Sequence, residues 1–485
     1  METSPSVEAV IELQSKIDDI FAGSSEQDLN THTRFLRMML GVDGSLPSPF
    51  VKLDASHPWL VFWPLNSLEL VGSPASPEEK ARAAETILQL QNPDGGFAGG
   101  VGQSSHVIGT YAAIMALSYG SPEHWARINV EKMYEWLMSL KQPNGSFITC
   151  EHGEADPRTS YCALAVATIL NIVTPALTEN VGEYIQSCQT YEGGYANTPL
   201  GEAHGGYAFC SLATLMMLKR DYPRYGLEKY CNISKLSRWL LRRQDPAAGA
   251  FNGRTNKLVD SCYSHWIGGC WPLVSQVLDV VDNGQLWNRQ GLRDYLVKCC
   301  QFKVGGFIDK PGARPDAYHS NYSLCGLALA QHIYTLTGSV FDWTSQRVDV
   351  GPEKEVVPIN PIFGIPTAQA VCMGTYFTPQ TPSREEYQGF ALYVSATVAL
   401  LLFLAWSLVP QEWLHSINVV YFPSRYWAVA VPAFILVLML YIYIGLDAYN
   451  KEVLTPSPTS LHTFTDIDTM VHDEPLSEVN KKMYS

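Results

Sequence analysis

At 485 residues the chain is longer than one hydrophobic core usually serves, so two domains are expected. Its 46% hydrophobic content, with 12 Trp, 25 Tyr and 18 Phe, can supply a large globular core and an aromatic-walled pocket. A formal charge of -14 argues against a nucleic-acid partner, because phosphate backbones are bound by clustered Lys and Arg that this chain lacks.

In chain order, the first organised signal is a repeat: QNPDGGFAGG from Gln91, KQPNGSF from Lys141, CQTYEGGYAN from Cys188, RRQDPAAGAFNGR from Arg242 and CCQFKVGGFIDKPG from Cys299. Each string predicts a helix-ending turn whose Gly can turn left-handed, followed by an aromatic that plugs the layer beneath. Two kinds of helix fit between turns. One is amphipathic, as at Val130, Met133, Leu137 and Leu140. The other is small and nearly uncharged: TYAAIMAL from Thr110, SYCALAVATIL from Ser160 and YAFCSLATLMML from Tyr207. A helix apolar on all sides must be buried, so the second kind belongs inside a ring formed by the first. The predicted fold is all-α, an α/α barrel of repeated helix pairs, with an open helical solenoid as the alternative.

The eleven cysteines are odd in number and scattered, which suits a reducing compartment rather than a disulfide scaffold. From about Gly351 to Pro382 the pattern dissolves into Pro-rich sequence that predicts a tail and linker. Residues 387–409 and 426–446 are then uncharged apolar runs, each long enough to cross a bilayer core of roughly 30 Å. The connector PQEWLHSINVVYFPSR carries Trp, Tyr and Arg at its ends, like interfacial anchors. The expected organisation is a barrel over 1–377, a linker over 378–386, a two-span transmembrane hairpin over 387–446 and a tail over 447–485. Two spans place barrel and tail on one side of the membrane.

Candidate chemistry concentrates in the fourth and fifth repeats. NGRTNKLVDSCYSHW supplies Arg254, Lys257, Asp260, Cys262 and Tyr263, and DKPGARPDAYHSNY supplies Asp309, Lys310 and His319. Carboxylate, thiolate and imidazole together suit a three-ligand zinc site with an open fourth position, although an isolated Asp-x-Cys is more often structural. Arg254, Lys257 and Tyr263 with His204 offer donors for a diphosphate, or simply a solvated surface. All fall at turns preceding inner helices, which places them at one end of a barrel.

The strings DASHPWLVFW, GGFAGGVGQSSHVIGTYAA, KQPNGSF, ADPRTSYCA, EAHGGYAFC, GRTNKLVDSCYSHW and DKPGARPDAYHSNY, in that order from about Arg34 to Phe377, resemble the protein farnesyltransferase β-subunit family. The resemblance implies zinc on Asp260, Cys262 and His319, with diphosphate contacts from His204, Arg254, Lys257 and Tyr263. It places Tyr263 and Lys257 among the catalytic residues and Asp309, with Lys310 beside it, near a Mg2+ that assists diphosphate departure. It further implies an isoprenoid trough including Trp59, Tyr207, Cys210 and Trp266, and a peptide pocket touching Trp59, Trp63, Arg158 and Tyr318. The implied reaction is transfer of a farnesyl group from farnesyl diphosphate to the cysteine of a C-terminal C-a-a-X protein. The implied partner is an α subunit that completes the site with a lysine. Bulky Trp59 and Tyr322 favour the fifteen-carbon donor over a geranylgeranyl one. The family's usual Lys shortly after D-K-P-G is absent, Ala313 preceding Arg314 there.

From about Glu386 onward, YQGFALYVSATVALLLFLAW, VPQEWLHSI, YFPSRYWAVAVP, SLHTFTD and PLSEVNKKM resemble the P subunit of the complex that moves N-acetylglucosamine to phosphatidylinositol in glycosylphosphatidylinositol synthesis. Either the chain tethers a prenyltransferase to the endoplasmic reticulum membrane, or two neighbouring genes are joined in one translated sequence; the lack of a shared substrate favours the second. Two rival readings of the whole are a membrane accessory subunit with a passenger barrel, and a terpene cyclase. The latter lacks its Asp-rich protonating run here.

Overall fold

A computed structural model describes residues 5–23, 29, 31–41, 48–278, 282–351, 354–378, 384–416, 418–421 and 423–454. The repeats produce the two predicted kinds of helix. Val107–Leu117 buries every residue except Ile108, and Pro157–Ile169 every residue except Arg158. Val130–Leu140 buries only Met133, Trp136, Leu137 and Leu140, one face of an outer helix.

The repeat strings form the joints between layers. Gln91 bridges to Phe97, Lys141 to Phe147, Gln189 to Tyr195, Gln244 to Phe251 and Gln301 to Phe307, and all five aromatics are 0% exposed. At the turn, Gly95 has φ +101° and lies so near the next outer helix that a Cβ would stand 2.2 Å from the Lys132 carbonyl carbon. Gln91 Nε2 donates to the Gly95 carbonyl at 2.9 Å, while its Oε1 accepts from the Asn129 backbone N–H, the N-cap of that helix, at 3.1 Å. Gln189 with Asn232 and Gln244 with Asn288 repeat the staple, each at 2.9 Å. In the second repeat the register position is held by Lys141, whose Nζ donates to the Glu179 carbonyl at 2.7 Å.

Closure excludes the open solenoid. Gln301, in the last repeat, meets His32 of the N-terminal helix Thr31–Leu40. The Gly306 N–H donates to His32 Nδ1 at 2.9 Å, leaving the proton on Nε2 to reach Gln301 Oε1 at 3.1 Å. Inside, Ala317–Gln331 packs on His57–Leu70, and Asn66 Nδ2 donates to Asn321 Oδ1 at 2.7 Å. The inner circuit runs His57–Leu70, Val107–Leu117, Pro157–Ile169, Gly205–Met217, the short pair Tyr263–Trp266 and Cys270–Ser275, and Ala317–Gln331.

Part of the stretch read from sequence as an irregular tail is core. Ile359, Ile362, Phe363 and Ile365 are at most 1% exposed. Tyr111 and Tyr161 donate to the Phe363 and Ile362 carbonyls at 3.1 and 2.9 Å, so this segment stops one end of the ring. The all-α class admits one small exception, an antiparallel hairpin of His332–Leu336 with Trp343–Arg347. Its turn is held by the Asp342 carboxylate, which accepts from the Ser339 N–H at 2.8 Å. All eleven cysteines are free.

The chain divides into two compact units, Met1–Thr378 and Pro379–Ser485. The second contains Arg384–Leu408, the short Gln411–Ser416 and Tyr426–Tyr449. Two windows here, Ala391–Leu408 and Tyr426–Val453, are long and apolar enough to cross a membrane, and neither is buried. Trp406 Nε1 donates to the Pro423 carbonyl at 2.8 Å, clasping the connector between the long helices. Of the expected linker, residues 379–383 lie outside the described residues; of the expected tail, 455–485 do.

Candidate active site

The inner-helix N-termini gather the predicted residues at one end of the ring. Asp260 and Cys262 lie on the turn opening Tyr263–Trp266, where the Cys262 N–H donates to Asp260 Oδ1 at 2.9 Å. His319 lies in the first turn of Ala317–Gln331, whose N-cap is Asp316. One ligand atom from each of Asp260, Cys262 and His319 falls within 4.8 Å of the others, and His319 Nε2 stands 3.4 Å from Asp260 Oδ1. Sequence reasoning missed Asp316, which accepts from the His319 N–H and meets His319 Nδ1, both at 2.7 Å. The signal available was an acid three residues before the His at a helix start. Such a carboxylate orients a ligating imidazole and leaves its other nitrogen for a metal.

Burial opposes a charged His319, but hydrogen bonds to Asp260 and Asp316 prevail and raise its pKa to about 12. Asp260, which burial alone would raise, is held below the usual carboxylate range by His319 and the Cys262 backbone N–H. Burial pushes the Cys262 thiol up to about 12. A carboxylate, a thiol and an imidazole converging in this way match the donor set of Zn2+.

Of the anion-binding candidates, Tyr263, His204 and Arg254 lie together next to it. His204 caps Gly205–Met217, its Nδ1 accepting from the Gly206 N–H at 3.1 Å. Burial and the neighbouring Arg254 lower the His204 pKa, so the ring is neutral with its proton on Nε2, 2.9 Å from the Tyr263 hydroxyl. The Tyr263 ring fits because residue 253 is Gly, where a Cβ would stand 2.0 Å from Tyr263 Cζ. Arg254 is tied to Glu202 at 2.6 Å, and Lys257 is exposed. Asp309 pairs with Lys310, and its carbonyl accepts from the Ser261 N–H at 2.8 Å, fixing its loop to the Asp260 turn. Arg314, where the resemblance expects a nearby Lys contact, is exposed.

Beneath these groups lies a cavity of about 370 Å³. Of the residues expected around a trough and peptide pocket, Trp59, Trp63, Arg158, Cys210, Trp266, Tyr318 and Tyr322 line it, as do His204 and Tyr263. Tyr207 is not in its wall and instead stacks under Arg158, 5.4 Å from the guanidinium. Trp266 Nε1 donates to the Tyr318 hydroxyl at 2.9 Å. The floor was not foreseen: Tyr111 and Tyr161, hydroxyls 3.0 Å apart, close it above the 359–365 segment.

Residues 28–365 match the family model of the prenyltransferase alpha-alpha toroid domain. The β subunit of protein farnesyltransferase from Pyricularia oryzae is 39% identical over 383 residues, covering 72% of this chain and 74% of that protein. The one from Schizosaccharomyces pombe is 38% identical over 369 residues, covering 74% and 93%. The chain belongs to the protein farnesyltransferase β-subunit family. Among solved structures, Candida albicans protein geranylgeranyltransferase-I complexed with GGPP aligns at a TM-score of 0.59 with 23% identity, covering 73% of this chain and all of that one, a likeness of fold. Residues 384–484 match the PIG-P family model.

Proposed function

We propose that the ring is the catalytic β subunit of a heterodimer that transfers a farnesyl group from farnesyl diphosphate to the cysteine thiol of C-a-a-X proteins, with zinc on Asp260, Cys262 and His319. The observation that carries this reading is the convergence of those three side chains beside both an aromatic cavity and the His204–Tyr263 pair. Bound zinc would hold the substrate cysteine, ordinarily of pKa about 8.5, as a thiolate at neutral pH. In the transfer, a bond forms between that sulfur and C1 of the isoprenoid while the C1–O bond breaks and its electron pair leaves with the diphosphate. Because His204 Nε2–H donates to the Tyr263 oxygen, the phenol proton is free for a departing phosphate oxygen. Arg254 and Lys257 add positive charge to the same loop, stabilising charge where it develops. Asp309 is the carboxylate available to a Mg2+, on exchanging its Lys310 partner.

Trp59 and Tyr322 narrow the cavity, which favours the fifteen-carbon donor. The α partner would supply a further lysine, so the isolated chain is expected to be inactive. The catalytic ring would be cytoplasmic; where the C-terminal hairpin is genuinely part of the same chain, it would hold the ring at the endoplasmic reticulum membrane and bring the PIG-P segment to the N-acetylglucosaminyltransferase complex of glycosylphosphatidylinositol synthesis. A single membrane-bound species near 53.8 kDa on an immunoblot supports that tether, and separate soluble and membrane species reject it.

The deciding experiment is metal analysis together with farnesyl transfer to a C-a-a-X peptide in the presence of the α partner. One zinc per chain and transfer that stops on chelation are expected. Full transfer by a metal-free preparation would refute the reading, and preference for geranylgeranyl diphosphate in competition would correct the donor.

A further inference from the structure

On the outer side of the ring, a cavity of about 330 Å³ lies where Ile233–Leu241 meets the loops carrying Glu192 and Thr255. Its walls hold Lys235, Arg238, Arg242 and Arg243 against a single acid, Glu192. That local excess runs against the chain's net charge of -14.

Two of its wall residues are buried donors in need of an acceptor. Arg243 is 4% exposed and Trp239 2%. Arg243 Nε and Nη1 and Trp239 Nε1 have no hydrogen-bond partner. These groups only donate, so whatever satisfies them must accept. The remaining Arg243 nitrogen, Nη2, donates to Thr255 Oγ1 at 3.2 Å, and Thr255 in turn donates to Glu192 Oε2 at 3.3 Å. Among the described residues none of the four cations forms an ion pair. Burial pushes the Arg243 guanidinium below its ordinary pKa, with Glu192 offsetting only part of that effect. A buried, incompletely satisfied guanidinium costs free energy that an anion in the cavity would recover.

We propose that this cavity is a second anion site, distinct from the His204–Tyr263 cradle, that binds a multiply charged phosphate: inorganic phosphate or inorganic diphosphate. Four cations against one acid suit a dianion or higher better than a lone carboxylate, and guanidinium donors match tetrahedral phosphate oxygens. Thr255 in the cavity wall directly follows Arg254, so an anion held by Arg243 braces the loop that presents Arg254 and Lys257.

The test is calorimetric titration of inorganic phosphate, and separately of inorganic diphosphate, into the full chain assembled with its α partner in detergent. A non-reactive farnesyl diphosphate analogue is present throughout to fill the cradle. The expected result is one saturable site for at least one of the two anions, weakened by about tenfold or more in Lys235→Ala/Arg242→Ala, a double variant of exposed residues whose peptide farnesylation at low salt is unchanged. Arg243→Gln is expected to abolish the binding. Should that variant not fold, as judged by circular dichroism, the surface double variant decides alone. Absence of saturable binding for both anions, or an isotherm unchanged in Lys235→Ala/Arg242→Ala, overturns the proposal. Because the readout is heat rather than turnover, it stands apart from the farnesyl-transfer reading.

Discussion

Leu65, Ile114, Leu164 and Leu212 in the ring are at most 1% exposed, whereas Ile435, Leu436 and Val437 in the C-terminal helices are 49%, 67% and 66% exposed. Both regions contain apolar helices with few charges, yet they dispose of their surface differently. Ring helices of 11 to 15 residues extend roughly 16–22 Å and bury one another. The C-terminal helices of 25 and 24 residues extend roughly 36 Å, which matches a bilayer rather than a protein layer. Length, more than hydropathy, therefore separates the ring's core helices from those long and apolar enough to span a bilayer.

If the chemistry resides in the ring alone, the largest effect comes from its donor triad. Cys262→Ser, and separately His319→Ala, should lower peptide farnesylation on the order of 10³-fold and remove stoichiometric metal, measured by turnover and elemental analysis. In the layer beneath, Phe147→Ala empties a site of 0% exposure and should cost about 3–5 kcal/mol in denaturant unfolding of the ring. Phe434→Ala, at a site 66% exposed, should leave that transition in place.

The pH dependence of metal binding sharpens the comparison further. His319 and Cys262, both with pKa values near 12 without metal, hold protons at neutral pH. Uptake of a divalent cation should then release two protons, so affinity rises with pH by about 100-fold per unit between about pH 6 and 8, read by competition with a chelator. A slope near zero would show that the ion does not displace protons from these side chains. Asp316→Asn, which weakens the hold on His319 Nδ1, should lower metal affinity by about 10–100-fold in the same assay. The smallest effect is the most direct test of the division between regions. Removing residues 384–485 should leave peptide farnesylation unchanged while abolishing membrane sedimentation.

What could be read directly follows from locality. The Gln–Gly–aromatic strings announce their turns because a left-handed Gly, a capping bond and a plug all lie within about seven residues of one another. The triad was suggested by residue type and made specific by family resemblance, since Asp260 and Cys262 are separated by one residue but His319 is more than fifty residues away. Asp316 escaped notice because a capping acid looks alike whether or not it also orients a ligand.

The sequence alone determined the repeats, the helix types and the apolar spans, all properties of periodicity over a few turns. Only the tertiary structure decided that the ring closes through His32 and Gln301, that Ile359–Ile365 is its stopper rather than a loose tail, and that Tyr111 and Tyr161 floor the cavity. Those contacts join residues 200 to 270 positions apart, and no local pattern specifies them; they exist because a closed circuit of helices must bury its last faces and satisfy its last polar groups.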